Sequence, residues 1–215
     1  MRSSVRPRFM LLLTAAVASL AALLVFQLVT APAVLRERGV YLVAMGDFSP
    51  DTLDQLERHF ERRYGLSVQV LDAIDLNENA VDELRGQYVA EELVRLVSER
   101  YRQAPGSHAT VIGVTREDMF MRGYPAWNFV FGYRWPEGGY AVVSTARMNP
   151  VNFGEPADEA LVMERLRKVA TKQIGVLYFG LSPSDDPTSV LYTPLSVDDL
   201  DRMSEELPSA TAHGV

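Results

Sequence analysis

Cysteine is absent from this chain. That absence excludes disulfides, thiolate metal sites, a cysteine nucleophile and a lipid-modified cysteine. Histidine is scarce: His59, His108 and His213 are the whole complement, and no two are close in sequence. A metal site built on three imidazoles is therefore not expected, and no metal or other cofactor is assigned. Basic charge is also in short supply. The chain carries 21 Lys and Arg against 28 Asp and Glu, and Arg2, Arg6 and Arg8 stand at its very start. No basic patch and no face of interleaved aromatics and arginines stands out, so nucleic acid is not an expected partner. There is no internal repeat and no low-complexity segment apart from one long uncharged run.

That run is Phe9–Ala31, 23 residues without a charge. As a helix it would span a hydrocarbon core of roughly 30 Å, and it is longer than the usual signal-peptide core. We read 1–8 as a basic N-terminus and 9–31 as a transmembrane anchor. The arginines ahead of the span favour a cytoplasmic N-terminus and an extracytoplasmic domain. The alternative is cleavage at Ala31-Pro32-Ala33, which would give a secreted form. Residues 32–39 form a linker, 40–206 a single domain and 207–215 a frayed tail.

Within the domain, VYLVAMG (40–46) is a continuous apolar run, as expected of a buried strand. Ser49-Pro50 opens a helix that Gly65 closes after Tyr64. Leu66–Ile74 reads as a second strand. Val81–Arg102 reads as a long amphipathic helix with Leu84, Tyr88, Leu93, Leu96 and Val97 inward. His108–Val114 is a third buried strand. Phe129–Trp135 and Tyr140–Met148 make a hairpin around Pro136–Gly139. From Asp158 a helical pattern runs on to Leu181 and loses its polar face after Gln173, as a helix entering a core does. A turn at Ser184–Pro187, an extended run Ser189–Tyr192 and a last helix capped by Ser196 follow. The order implies an α/β domain with a mixed twisted sheet: three mostly parallel strands plus an antiparallel hairpin.

Several motifs, in order, resemble the archaemetzincins, a family of zinc-dependent peptidases. They are YLVAMGDF (41–48), RGQY (85–88), VIGVTREDMF (111–120), NFVFG (128–132), AVVSTARM (141–148) and ERLRK (164–168), then SVLY followed by SVDDLDRM. The resemblance implies a metzincin-like fold with an active-site-type helix and a C-terminal helix, here preceded by one transmembrane helix. It also implies an active site of the form HExxHxxGxxH. Two histidines at i and i+4 share one helix face and grip zinc, while the glutamate takes a proton from the bound water. Threaded through Gly175, this chain places Lys172 and Val176 at the first two histidines and Gln173 at the glutamate. Phe179 falls at the glycine, Ser182 (or Pro183, if the register shifts by one at Gly180-Leu181) at the third histidine and Leu191 at the methionine of the turn. An ammonium repels zinc, valine has no donor atom, and an amide is no general base. The resemblance thus implies the frame of a peptidase without its catalytic residues.

In that family substrate lies along the sheet edge, which here places a peptide groove at Asn128, Phe129, Val130, Phe131, Gly132 and Tyr133, faced by Lys172 and Gln173. Other candidates carry blander readings. Asp185, Asp186, Asp198, Asp199 and Asp201 fit turn and cap chemistry better than a calcium loop. His59 and His108 read as structural, as do Arg85, Gln87 and Tyr88, taken as helical and half-buried. The favoured function is a membrane-anchored, extracytoplasmic pseudo-peptidase that binds an extended peptide or protein segment or acts as a scaffold. The alternatives are an active metallopeptidase or hydrolase with an unconventional site, and a purely structural membrane protein.

Overall fold

Three runs rich in Val, Ile, Leu and Ala are too apolar to face water on either side, and they form the centre of the sheet. A computed structural model describes residues 32–208. The strands are β1 (Ala33–Leu35), β2 (Val40–Met45), β3 (Val68–Ile74), β4 (Val81–Asp82), β5 (Gln87–Val89), β6 (Tyr101–Gln103), β7 (Thr110–Thr115), β8 (Met119–Phe120), β9 (Gly132–Trp135) and β10 (Tyr140–Ser144). The α-helices are α1 (Pro50–Tyr64), α2 (Ala90–Arg100), α3 (Glu159–Leu177) and α4 (Val197–Arg202).

The main sheet has the order β3-β2-β7-β10-β9. Neighbours among β3, β2, β7 and β10 are parallel, and β9 closes one edge antiparallel to β10, with Tyr133 opposite Val142. Every residue of β2, β7 and β10 is buried, as layers on both faces require. Alternate side chains divide between the layers. Leu42, Ala44, Ile112, Val114, Ala141 and Val143 join one core with Leu53, Leu56 and Phe60 of α1, Leu166 and Ile174 of α3, and Leu200 of α4. On the other face α2 comes so close to β7 that a Cβ on Gly113 would press on Met45 Sδ and lie 2.9 Å from Val97 Cγ2.

Local chemistry sets the helix ends. Gly65, at φ +65°, stops α1 in the left-handed conformation that costs glycine least. Asp158 caps α3 by accepting from Leu161 N–H at 3.0 Å. A reciprocal capping box between Ser196 and Asp199 opens α4.

Several expectations need correction. Residues 81–102 are not one helix. Val81–Asp82, a turn and Gln87–Val89 come first, and the helix covers only Ala90–Arg100. Leu84, expected inward, is fully exposed. The linker residues Ala33–Leu35 form a strand beside β6. The first hairpin strand is shorter than read, since Asn128–Phe131 lie outside β9. The long helix ends at Leu177 rather than Leu181. Ser189–Tyr192 is a chain of turns, with Ser189 N–H donating to Asp186 O and Tyr192 N–H to Ser189 O, both at 3.0 Å. The transmembrane helix attached to the fold class is also corrected: among the described residues no helix is long and apolar enough to cross a membrane. The span 9–31 that carried that reading, and its topology, lie outside the described residues.

Gly113→Ala tests the tightness of the β7–α2 contact. The added methyl meets two buried side chains at less than van der Waals distance, so we expect about 1–3 kcal/mol of destabilisation. Chemical denaturation of the purified variant measures it.

Candidate active site

Helix α3 carries a mixed pattern that no simple amphipathic face accommodates. Along with Leu166, Val169, Ala170 and Ile174 it buries Arg165, Lys168, Thr171, Lys172 and Gln173. Charge taken out of water has to be compensated, and two of the three buried cations are. Arg165, 5% exposed, grips Asp201 of α4 with two nitrogens at 2.8 and 2.6 Å and also donates to Met148 O. The Asp201 carboxylate holds the Arg165 pKa above its ordinary value. Lys168, 3% exposed, meets Glu164 one turn back at 2.7 Å.

Lys172 differs. It is 4% exposed, and its Nζ donates to the Thr193 hydroxyl at 2.7 Å. Among the described residues no carboxylate pairs with it. Burial, and then the nearby Arg134 guanidinium of β9, push its pKa down to about 7. Arg134 is itself pushed below the ordinary arginine value by burial. Both side chains line a cavity of about 550 Å³ between α3, β9, the 121–131 loop and the segment Thr193–Leu195, and among the described residues neither Asp nor Glu lines it. Gln173 lines it too. This side chain is 2% exposed, and its Oε1 is buried without a hydrogen-bond partner among the described residues. Gly132 is what lets strand and helix approach here, since a Cβ there would sit 2.8 Å from Gln173 Nε2 and 3.0 Å from Val169 Cγ1.

All eight residues assigned to a peptide groove, Asn128 to Tyr133 with Lys172 and Gln173, line this one cavity. Lys172 and Gln173 are both buried rather than on a solvated face of the helix. The wall itself differs from a simple edge strand. Val130 N–H donates to Met119 O and Ser144 N–H to Phe131 O, both at 2.9 Å, so this part of the chain is tied down internally. Behind it, Gln87 Nε2 donates to Asp118 Oδ2 and to Asn128 O, each at 2.9 Å. Arg85 donates to Pro125 O at 3.2 Å and lies over the Phe120 ring. Arg85 sits in a turn and Gln87 and Tyr88 in β5, not in a helix, and the first two hold the loop that walls the cleft. Sequence reasoning missed Arg134 and Thr193. A two-residue alternation sets Arg134 on the face opposite Tyr133, and nothing in sequence brings residue 193 back to residue 172.

The other residues threaded onto the family's site do not join the cavity. Val176 and Phe179 pack against Val190, Leu191 and Leu207. Ser182 is exposed. A zinc ion does not fit these residues. α3 has no histidine, its acids are Glu159 and Glu164 alone, and among the described residues no group of three or more His, Asp or Glu could hold a metal. His59 packs edge-on to Phe60, His108 sits just before β7 at φ +50°, and His213 lies outside the described residues. The aspartates act as turn and helix groups: Asp186 accepts from Thr188 N–H and Oγ1 at 2.9 and 2.8 Å. A larger and more open groove of about 860 Å³, between Asp47–Thr52 and the start of α3, contains none of the groove residues.

A mixed sheet with an antiparallel edge strand, a long buried helix beside it and a cleft between the two are the peptidase frame that the resemblance to the archaemetzincins implies. The model of Peptidase family M54 matches residues 46–213, and the chain belongs to that family. It is similar to the archaemetzincin of Pyrococcus furiosus, at 30% identity over 167 residues, covering 75% of this chain and 84% of that one. The solved archaemetzincin of Methanopyrus kandleri superposes with a TM-score of 0.64 at 29% identity, covering 82% of this chain and 92% of that one. The Archaeoglobus fulgidus archaemetzincin, solved in complex with malonate, gives 0.63 at 26% identity, covering 80% and 98%.

The two kinds of buried cation on α3 should respond oppositely to mutation. Asp201→Asn strands Arg165, and we expect a loss of about 2 kcal/mol or more. Lys172→Met removes a buried charge that has no counter-ion, and we expect a gain on the order of 1–3 kcal/mol at about pH 6. The folded pKa of Lys172 lies below its ordinary 10.5. The unfolded chain therefore holds the extra proton between about pH 7 and about pH 10.5, and this group raises stability as pH climbs through that window. The advantage of Lys172→Met should accordingly shrink toward about pH 10. Unfolding curves at the two pH values check both signs.

Proposed function

We propose that this member of Peptidase family M54 is a peptide-binding domain that works without the family's zinc. The observation that carries the reading is Lys172: a buried ammonium with no acidic partner among the described residues stands in the cleft where the family resemblance calls for a zinc-binding imidazole. Gln173 beside it cannot abstract a proton from water, and Val176 one turn on has no donor atom. The β9 edge, Gly132–Trp135, offers backbone groups to an added strand, and strand addition requires no catalytic residue. An extended segment laid there has Lys172 and Gln173 on one side and the Arg85- and Gln87-braced loop on the other. Malonate, the ligand of the Archaeoglobus fulgidus relative, is a dicarboxylate, and small dicarboxylates are reasonable first ligands to try.

A hydrolase with an unconventional site is the second reading, and two observations favour it. The family is one of peptidases, and the Lys172 amine lies 2.7 Å from the Thr193 hydroxyl. With a pKa of about 7, that amine is a competent base for a hydroxyl nucleophile.

The full chain, purified without added metal, separates these readings. For a zinc-independent binding domain we expect zinc well below one equivalent, a melting temperature that ignores chelator, and no cleavage of a mixed peptide pool. One zinc per chain with chelator-sensitive cleavage would overturn it. Cleavage that ignores chelator and disappears in Thr193→Val would assign the hydrolase instead.

A further inference from the structure

We infer that the cavity between α3 and β9 is a carboxylate site, formed by the side chains of Lys172 and Arg134 and built to take the carboxylate of a bound peptide. This rests on the peptide-binding reading and names the chemistry that the cleft selects.

The argument begins with the uneven treatment of charge along α3. Arg165 and Lys168 each have a carboxylate within 2.8 Å. Lys172, equally buried and on the same helix, has only a neutral hydroxyl. Arg134 enters the same cavity from β9. Two cations share a cavity that no acid lines among the described residues, so the site carries net positive charge that the fold leaves unmet. Desolvated like charges repel, and an incoming anion relieves that repulsion while gaining charge-assisted hydrogen bonds.

The remaining polar lining narrows the anion. Gln173 Oε1 is buried and lacks a donor, and a free oxyanion cannot supply one. A peptide's terminal residue can, because it carries a carboxylate and an amide N–H a few ångströms apart. The carboxylate meets Lys172 and Arg134 while the N–H serves Gln173. The aromatic wall of Trp127 and Phe129 accommodates the attached side chain. An acidic side chain in mid-peptide presents the same carboxylate from a second source.

The test uses the full chain and three dye-labelled hexapeptide pools followed by fluorescence polarisation. One pool has a free C-terminal carboxylate, one is C-terminally amidated, and one is amidated but carries Asp or Glu at its last position. We expect the free-acid pool to bind about tenfold or more tighter than the neutral amidated pool, a difference of about 1.4 kcal/mol. Lys172→Met and Arg134→Gln should each erase most of that preference. Lys172→Met removes an uncompensated buried charge and should stay folded, which its melting temperature verifies. Comparable binding of the acidic amidated pool assigns the side-chain source, and its failure assigns the chain terminus. If all three pools bind equally, and equally to both variants, the carboxylate site is wrong while peptide binding stands. If none binds, the peptide-binding reading falls with it.

Discussion

The fold rests on how helix α3 disposes of its charges. A helix that buries Arg165, Lys168 and Lys172 among Leu166, Val169 and Ile174 carries a desolvation cost that the fold offsets for the first two cations and leaves unmet by any carboxylate at the third among the described residues. For Arg165 the compensation comes from Asp201, and this requirement positions α4. Asp201 sits on the short helix that the capping box of Ser196 and Asp199 opens, so a local cap and a buried ion pair act on the same element. The segment leading into α4 supplies Thr193 to Lys172. The C-terminal third of the domain is thus arranged around the polar side of α3, and its apolar side is arranged around the sheet.

The cleft follows from the same packing. β9 is the antiparallel strand at the edge of the main sheet, and Gly132 in it allows α3 to come within contact of the backbone. Gln173 and Val169 fill the space a side chain would have taken. The loop before β9 would be free to collapse over the opening, but Arg85 and Gln87 hold its carbonyls, and Val130 and Phe131 bond to neighbouring strands. The cavity is therefore held open by structure on three sides. Its charge remains positive because the acids nearby are committed elsewhere: Asp118 to Arg147 and Gln87, and Asp201 to Arg165.

The places where sequence reading and structure part company share a cause. In 81–102 the apolar spacing suits a helix, yet Gly86 adopts φ +62°, and Tyr88 and Val89 pair with Met119 and Phe120 of β8. Long-range pairing outweighs local periodicity there. At 128–131 the alternation of Asn, Phe, Val and Phe suits a strand, yet the bonds of Val130 and Phe131 go to Met119 and Ser144 rather than into the edge ladder. In both cases the deciding partners lie many residues away, where no window over the local sequence can find them.

By itself the sequence determined the class of sheet, because VYLVAM, TVIGVT and YAVVS are apolar on both faces and only a covered, largely parallel sheet buries such runs. It determined the ends of α1 and α4 through Gly65 and the Ser196–Asp199 box, where the chemistry is local. It determined the donor set as well: with no cysteine and no histidine in 159–177, composition alone excludes imidazole and thiolate ligation along α3. Only the tertiary structure decided the electrostatic character of the cleft. The pairing of Arg165 and the isolation of Lys172 cannot be told apart on a helical wheel, since Arg165, Lys168 and Lys172 follow one another at helical spacing. What distinguishes them is the group each meets: Asp201 for the first, Glu164 for the second, Thr193 and Arg134 for the third. Burial and a partner's charge are properties of segments brought together by folding, and they are what set one of three similar cations apart.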